Sequence, residues 1–267
     1  MNLPQIYQQI LNLCIGNGDM IKKEMGQLNS NDILQKGFND FVTYVDTISE
    51  KRIVRELSKI LPDAGFIVEE KTIQQEKKPL LWIIDPLDGT TNFIHGVPCF
   101  SISIALMKDN KVILGVVYEV MQEECFYSYG EGAWLNGKQI QVSATSTLAD
   151  SLVGTGFPSK DFSKLEQYMS VLKYLFQQSQ GVRRLGSAAV DLCYVACGRF
   201  DIFFEEGLSP WDVAAGAFIV EQAAGKVTEY NGGNNFIFGN DILATNKVLH
   251  NEMLKILNNK NASNKKI

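Results

Sequence analysis

The chain has 267 residues, 45% hydrophobic and 21% charged, enough for a large buried core in one or two domains. With 25 basic against 30 acidic residues the formal net charge is −5, which argues against a dedicated nucleic-acid binder. There is no charged-then-apolar leader and no apolar run of about 18 residues, so a cytoplasmic protein is expected, neither secreted nor membrane-spanning. The five cysteines, Cys14, Cys99, Cys125, Cys193 and Cys197, are odd in number and show no framework spacing, which points to reduced thiols. Cys193 and Cys197 read as small core residues of a helix and not as metal ligands.

Apolar residues Ile6, Ile10, Leu13, Cys14, Ile21, Met25 and Leu28 recur at three- and four-residue spacing and predict a helix over 3–28. A second helix is expected over 47–61, with Thr47 and Glu50 as its capping box and Pro62 ending it. Strands follow at 65–68 and 80–84. Phe100, Ile102, Ile104 and Leu106 alternate with small residues, the period of a sheet with one buried face. Two more strands are expected at 112–118 and 125–129, and Asn136-Gly137 signals a hairpin turn. The first half is thus two helices followed by a mostly antiparallel sheet.

The second half alternates. Strands at 151–155, 182–184, 200–204, 226–230 and 242–245 are interleaved with helices at 163–178, 187–196, 211–224 and 247–257, which implies an α/β layer with helices on both faces of a sheet. The tail, 258–267, is polar and expected to fray. The join at 142–150 is short. Two halves, 1–145 and 146–267, are therefore expected to pack as one catalytic unit.

The most informative stretch is 82–93, Trp-Ile-Ile-Asp-Pro-Leu-Asp-Gly-Thr-Thr-Asn-Phe. A buried-strand run stops at Asp85, and Pro86 cannot continue the ladder. Gly89 allows a tight path, so Asp85 and Asp88 can face one cavity. Gly89 and Thr90 precede a short helix expected at 91–93, whose first N–H groups suit a phosphate. Three further acids belong with this pair: Glu69 and Glu70 at a strand end, and Asp212 opening an apolar helix. Taken singly, each has an ordinary reading as a solvated strand end, a helix cap or a turn residue. Together they form a cluster in which two carboxylates about 5 Å apart repel by roughly 3 kcal/mol at an effective dielectric of about 20. Cations or protons must offset that, and all-oxygen ligation favours Mg²⁺ over Zn²⁺. With only His95 and His250 in the chain, an imidazole metal site or a Ser-His-Asp triad is not expected, and His95 reads as a loop residue near the site.

A second constellation is Arg183-Arg184-Leu-Gly186-Ser187-Ala188-Ala189, a strand–turn–helix junction with Ser187 as the cap. Glu205 follows in Phe203-Phe204-Glu205-Glu206-Gly207, with Gly154-Thr155-Gly156 nearby.

The pattern Asp85-Pro-Leu-Asp88-Gly89-Thr90, with the blocks 40–46, 65–70 and 183–224, resembles the inositol monophosphatase family over about 35–245. Ser209-Pro210 before Trp211-Asp212 is similar to the bacterial members. The resemblance implies a layered α-β-α-β-α sandwich of the sugar-phosphatase type, an α/β (α+β) fold. It implies a lithium-sensitive, Mg²⁺-dependent phosphoric monoester hydrolase acting on myo-inositol monophosphate or a related polyol phosphate, with two to three ions per site, as a homodimer. Glu69, Asp85 and the carbonyl of Leu87 would hold the first ion; Asp85, Asp88 and Asp212 the second; a third would sit near Glu69. Thr90, oriented by Asp46 and assisted by Glu70, would take the proton of the attacking water. On residues alone Asp46 reads as a helix N-terminal acid beside Thr47. Leu87, Asp88, Gly89, Thr90 and Asp212 would also touch substrate, with Arg184, Gly186, Ser187, Ala188 and Glu205 on the alcohol side. Phosphatases of 3′-phosphoadenosine 5′-phosphate, histidinol phosphate or fructose bisphosphate are the alternatives on the same fold. A transcription accessory protein that binds RNA polymerase, without direct nucleic-acid contact, is the alternative outside enzymology. The role of the loop bearing Lys71, Lys77 and Lys78 stays open.

Overall fold

The computed structural model describes residues 1–29, 32–37, 40–75, 78–158 and 161–258. The chain opens with helix α1 (Leu3–Glu24), a hairpin of β1 (Ile33–Gly37) and β2 (Asp40–Thr43), and helix α2 (Tyr44–Ile60). Then come β3 (Gly65–Val68), β4 (Leu80–Asp88), the short helix α3 (Thr90–His95), and β5 (Ser101–Lys108), β6 (Lys111–Glu119), β7 (Glu124–Ser128), β8 (Ala133–Leu135) and β9 (Lys138–Ile140). β3 to β9 form a seven-stranded sheet in sequence order, antiparallel except for the parallel pair β3–β4. Asn136 and Gly137 turn β8 into β9 with φ of 48° and 78°, as a two-residue hairpin requires.

The rest is β10 (Leu152–Thr155), α4 (Leu165–Gln178), β11 (Gly181–Arg183), α5 (Ala188–Ala196), β12 (Ile202–Glu206), α6 (Pro210–Gln222), β13 (Lys226–Thr228), β14 (Asp241–Thr245) and α7 (His250–Asn258). These strands make a second sheet, ordered β11-β10-β12-β14-β13. Among the described residues no helix is long and apolar enough to cross a membrane.

Three apolar cores alternate with the two sheets. Ile10 and Ile21 of α1 and Val45, Ile53 and Leu57 of α2 pack on Trp82, Ile84 and Ile104. The next residues along the strands, Leu81, Ile83 and Ala105, point the other way, into a middle core with Leu192 and Val195 of α5 and Val213 and Val220 of α6. Phe203, Ile242 and Ala244 close that core from the second sheet. Their neighbours Ile202, Phe204 and Leu243 face Val171 and Leu175 of α4 and Met253 and Ile256 of α7. The order is helix, sheet, helix, sheet, helix. Each fully buried large aliphatic side chain contributes about 1.5–3 kcal/mol, so the central helices hold the two sheets in fixed relation.

Several expectations are corrected. α1 ends at Glu24, where Met25 turns extended, and not at 28. The hairpin β1–β2 was not expected. α2 starts at Tyr44, and its capping box is Thr43 with Asp46, not Thr47 with Glu50. Thr43 is the last residue of β2, so the strand end decides which of two similar patterns acts as the cap. β5 is buried on both faces, because α5 and α6, distant in sequence, cover the side expected to meet solvent. β4 runs past residue 84 to Asp88. Residues 259–267 and Lys77 lie outside the described residues.

Candidate metal centre

β4 continues because it bulges. Asp85 pairs with Ser103 and Asp88 with Ser101, so Pro86 and Leu87 together oppose one residue of β5. A bulge re-aims side chains, and here it gathers two acids. One oxygen each from Asp85, Asp88 and Asp212 lies within 4.8 Å of the others. Asp212 comes from the first turn of α6, where Ser209 N donates to its Oδ2 at 2.6 Å, so the capping box of α6 orients a member of the cluster. Asp88 Oδ2 accepts from Ser187 Oγ at 2.6 Å and from Ala189 N at 2.8 Å, which ties it to the start of α5. Gly89 has φ +98°, and a Cβ there would stand 3.1–3.2 Å from Cys99 O, Gly186 O and Phe100 Cβ. Only glycine brings the 89 and 186 turns this close.

Asp85 and Asp88 are buried acids, 1% and 9% exposed. Burial, then Glu69, Asp88 and Asp212, push the Asp85 carboxyl well above its ordinary range. Burial pushes Asp88 up to about 6, against the opposing hydrogen bonds of Ser187 and the α5 amides. Neither Asp85 nor Asp88 has an ion-pair partner among the described residues. Hard carboxylate oxygens packed this closely, with no basic side chain on Asp85 or Asp88, fit a divalent cation that prefers oxygen. Glu69 stands outside the triad but within electrostatic reach of Asp85.

Beside the cluster is a second group. Thr90 Oγ1 lies 2.9 Å from Asp46 Oδ1 and 3.1 Å from Leu87 O. Asp46 Oδ2 accepts from Thr43 N at 2.9 Å and Thr43 Oγ1 at 2.6 Å. Asp46 is therefore both the helix-cap acid and the partner of Thr90. Burial raises its carboxyl, against the bonds from Thr43 and Thr90. The β3–β4 loop that carries Glu69 and Glu70 is tied down by Glu50, a residue whose place in the sequence suggests a cap. Glu50 is fully buried and accepts from Glu70 N at 2.7 Å and Thr72 N at 2.8 Å. His95, the last residue of α3, is exposed.

The residues expected on the alcohol side are placed as follows. Ser187 Oγ lies 3.2 Å from Ser101 Oγ, and Ala188 opens α5. Arg184 is exposed, its guanidinium 5.7 Å from the Phe157 ring centre. Glu205 is half-buried; burial and then Asp212 push it up to about 8, with Arg184 opposing. A Cβ on Gly156 would fall 1.8 Å from the Glu205 carboxyl carbon, so Glu205 lies directly against that backbone. Asp191 of α5 was missed: its side chain is 1% exposed, Oδ1 has no hydrogen-bond partner, and burial raises it well above its ordinary range. An acid inside Ala-Ala-Val-Asp-Leu-Cys was the available signal.

Comparison with known proteins agrees with this geometry. The profile described as the inositol monophosphatase family matches residues 2–262. The chain is 38% identical to an inositol-1-monophosphatase of Mesorhizobium japonicum, over 89% of this chain and 90% of that one. It is 41% identical to a protein named Nus factor SuhB from Pseudomonas aeruginosa, over 90% and 92%. The crystal structure of the extragenic suppressor protein suhB from Bartonella henselae superposes with a TM-score of 0.91 at 36% identity, over 96% and 99%.

Proposed function

The chain belongs to the inositol monophosphatase family, and from that premise we propose that it is a Mg²⁺-dependent phosphomonoesterase acting on inositol monophosphate or a related polyol phosphate. The observation that carries this reading is the oxygen triad of Asp85, Asp88 and Asp212 beside the Thr90–Asp46 pair. In the proposal Glu69, Asp85 and Leu87 O hold one ion, Asp85, Asp88 and Asp212 a second, and a third sits near Glu69. Bound Mg²⁺ supplies charge neutralisation for the phosphate and the leaving oxygen.

The chain's own residues supply the rest. An ionised Asp46 only accepts hydrogen bonds. The Thr90 hydroxyl proton is thereby directed to Asp46 Oδ1, so that as Oγ1 takes a proton from an attacking water its own proton passes to the Asp46 carboxylate, which ends neutral. Glu70, anchored through its amide by Glu50, stands by as a second acceptor. Glu205 and the turn at Gly186, Ser187 and Ala188 receive the alcohol, and Arg184 balances the acids at the rim. Acids from both halves, 1–145 and 146–267, complete one site, which supports a single catalytic unit. The proposal includes a homodimer in the cytoplasm; light scattering tests the dimer.

Phosphate release across sugar, polyol and nucleotide monophosphates, with Mg²⁺ and with EDTA, tests the function. Turnover of inositol monophosphate that EDTA abolishes is expected. Turnover unaffected by EDTA would remove the metal reading. The SuhB-named relatives favour a second reading, a transcription accessory role alongside the enzyme. Affinity capture of RNA polymerase with nuclease-treated extract tests it, and absence of polymerase would sink it.

A further inference from the structure

The bulge that aims Asp85 is held from behind by a buried polar relay. Pro86 carries no N–H, and its carbonyl accepts from Ser49 Oγ of α2 at 2.9 Å. The same peptide unit ends in Leu87 N, which donates to Asp85 Oδ1 at 2.9 Å. One peptide plane is thus gripped at both ends. Ser49 Oγ in turn receives a hydrogen bond from Asn17 Nδ2 of α1 at 2.8 Å, and Asn17 Nδ2 also reaches Ser49 O at 3.3 Å. A serine hydroxyl has one proton. With Asn17 donating into its oxygen, that proton is directed to Pro86 O.

Packing alone does not account for these residues. Asn17 and Ser49 are both 0% exposed, in a helix interface otherwise filled by Ile10, Cys14, Ile21, Val45 and Ile53. Asn17 Oδ1 has no hydrogen-bond partner, an arrangement that apolar residues of similar shape would avoid. What the relay achieves is orientation. It fixes the Pro86–Leu87 peptide, hence the direction of the Leu87 N–H and the rotation of the Asp85 carboxylate that accepts from it.

We infer that Asn17 and Ser49 are positioning residues of the metal centre, acting through the Pro86–Leu87 peptide. This rests on the metal reading of the site proposed above. Groups that orient metal ligands typically change affinity by about 10–100-fold when lost.

The test compares Ser49→Ala, Asn17→Ala, the double variant and Ile53→Val, a packing control in the same core. Two quantities are read: the Mg²⁺ dissociation constant by calorimetry, and amide exchange at Leu87 in metal-free protein. Ser49→Ala is expected to weaken Mg²⁺ roughly tenfold, the low end of that range, and Asn17→Ala, one bond further away, measurably but less. The double variant should match Ser49→Ala, since Asn17 acts only through Ser49. Leu87 exchange should speed up in the relay variants and stay unchanged in Ile53→Val, which lowers Tm only. Relay variants that lose Tm yet keep the wild-type Mg²⁺ constant and Leu87 exchange would overturn the inference and leave a packing role. If Ser49→Ala does not fold, Asn17→Ala decides on the same two readouts. A wild-type chain that binds no Mg²⁺ would instead remove the metal reading, and the inference with it; the wild-type titration separates the two failures.

Discussion

Asp85, in the triad, and Glu205, within electrostatic reach of it, are carboxylates held in opposite ways. Asp85 is 1% exposed, sits in a bulge, and has its Oδ1 fixed by an amide whose own peptide is gripped from α2. Glu205 is half-buried near the end of β12, with no hydrogen-bond or ion-pair partner among the described residues, and is set in place by its contact with Gly156. In the proposed reading, the end that takes the phosphate is over-determined by buried hydrogen bonds. The end that takes the alcohol is shaped by space and by a few charges. Substitutions at the first should stop the chemistry, and substitutions at the second should redirect it.

The largest effect is expected at the phosphate end. Asp88→Asn and Asp212→Asn should each lower kcat by roughly a hundredfold or more, the scale of losing one electrostatic element of a site. Both metal-free variants should melt no lower than wild type, because like-charge repulsion is relieved. Near-wild-type turnover in either would take that acid out of the set. Mg²⁺ should stabilise the folded protein by about 2.7 kcal/mol at a hundred times its dissociation constant, read as a rise in Tm. Thr90→Ala and Asp46→Asn come next, lowering kcat by some tens-fold with KM little changed, since they act on the transition state. If Asp46→Asn lowers only Tm, its role is that of the α2 cap.

At the alcohol end the effects should be smaller and selective. Gly156→Ala must displace Glu205, and Glu205→Ala removes it. Both should lower kcat/KM for inositol monophosphate against an aryl phosphate by about tenfold, as a site loses contacts to hydroxyls. An equal fall for both substrates would move Glu205 to the phosphate end and erase the contrast. The last effect is on pH and reads the alcohol end without any substrate. Glu205 is raised from its ordinary 4.5 to about 8, so the folded state binds more protons than the unfolded state between those values. Metal-free protein should therefore lose stability as pH rises from about 4.5 through about 8. The slope should lessen in Glu205→Gln; an unchanged slope would assign it to other buried acids.

The same division governs what could be read before the structure. Asp85, Asp88 and Thr90 stand in one segment of 82–93, whose abrupt passage from apolar strand to turn residues exposes them. Asp212 was legible as an acid opening a helix. The clamps behind them were not, because Asn17, Ser49 and Glu50 look like ordinary helix polar residues. Their phase was the missed signal: Asn17 lies in the stripe Ile6, Ile10, Cys14, Ile21, and Ser49 lies between Val45 and Ile53, four residues from each. A polar side chain on a core-facing stripe has to find a buried partner. β1 and β2 went unread because Ile33–Gly37 and Asp40–Thr43 are short and largely polar. The burial of both faces of β5 depends on helices more than eighty positions later, which no local period reports.

The triad joins a strand of the first sheet to a helix laid down long afterwards, so it also bears on the order of assembly. Asp85 and Asp88 stand on β4, and Asp212 arrives only when α6 docks against the middle core. Until then the carboxylates are separate and hydrated; at docking they meet, and their repulsion opposes closure of the last layer. A cation present at that moment rewards the docked state alone. If the triad holds a divalent cation as proposed, metal-free chain should refold more slowly or less completely than chain refolded with Mg²⁺, and equal refolding would argue that docking of α6 does not depend on the ion.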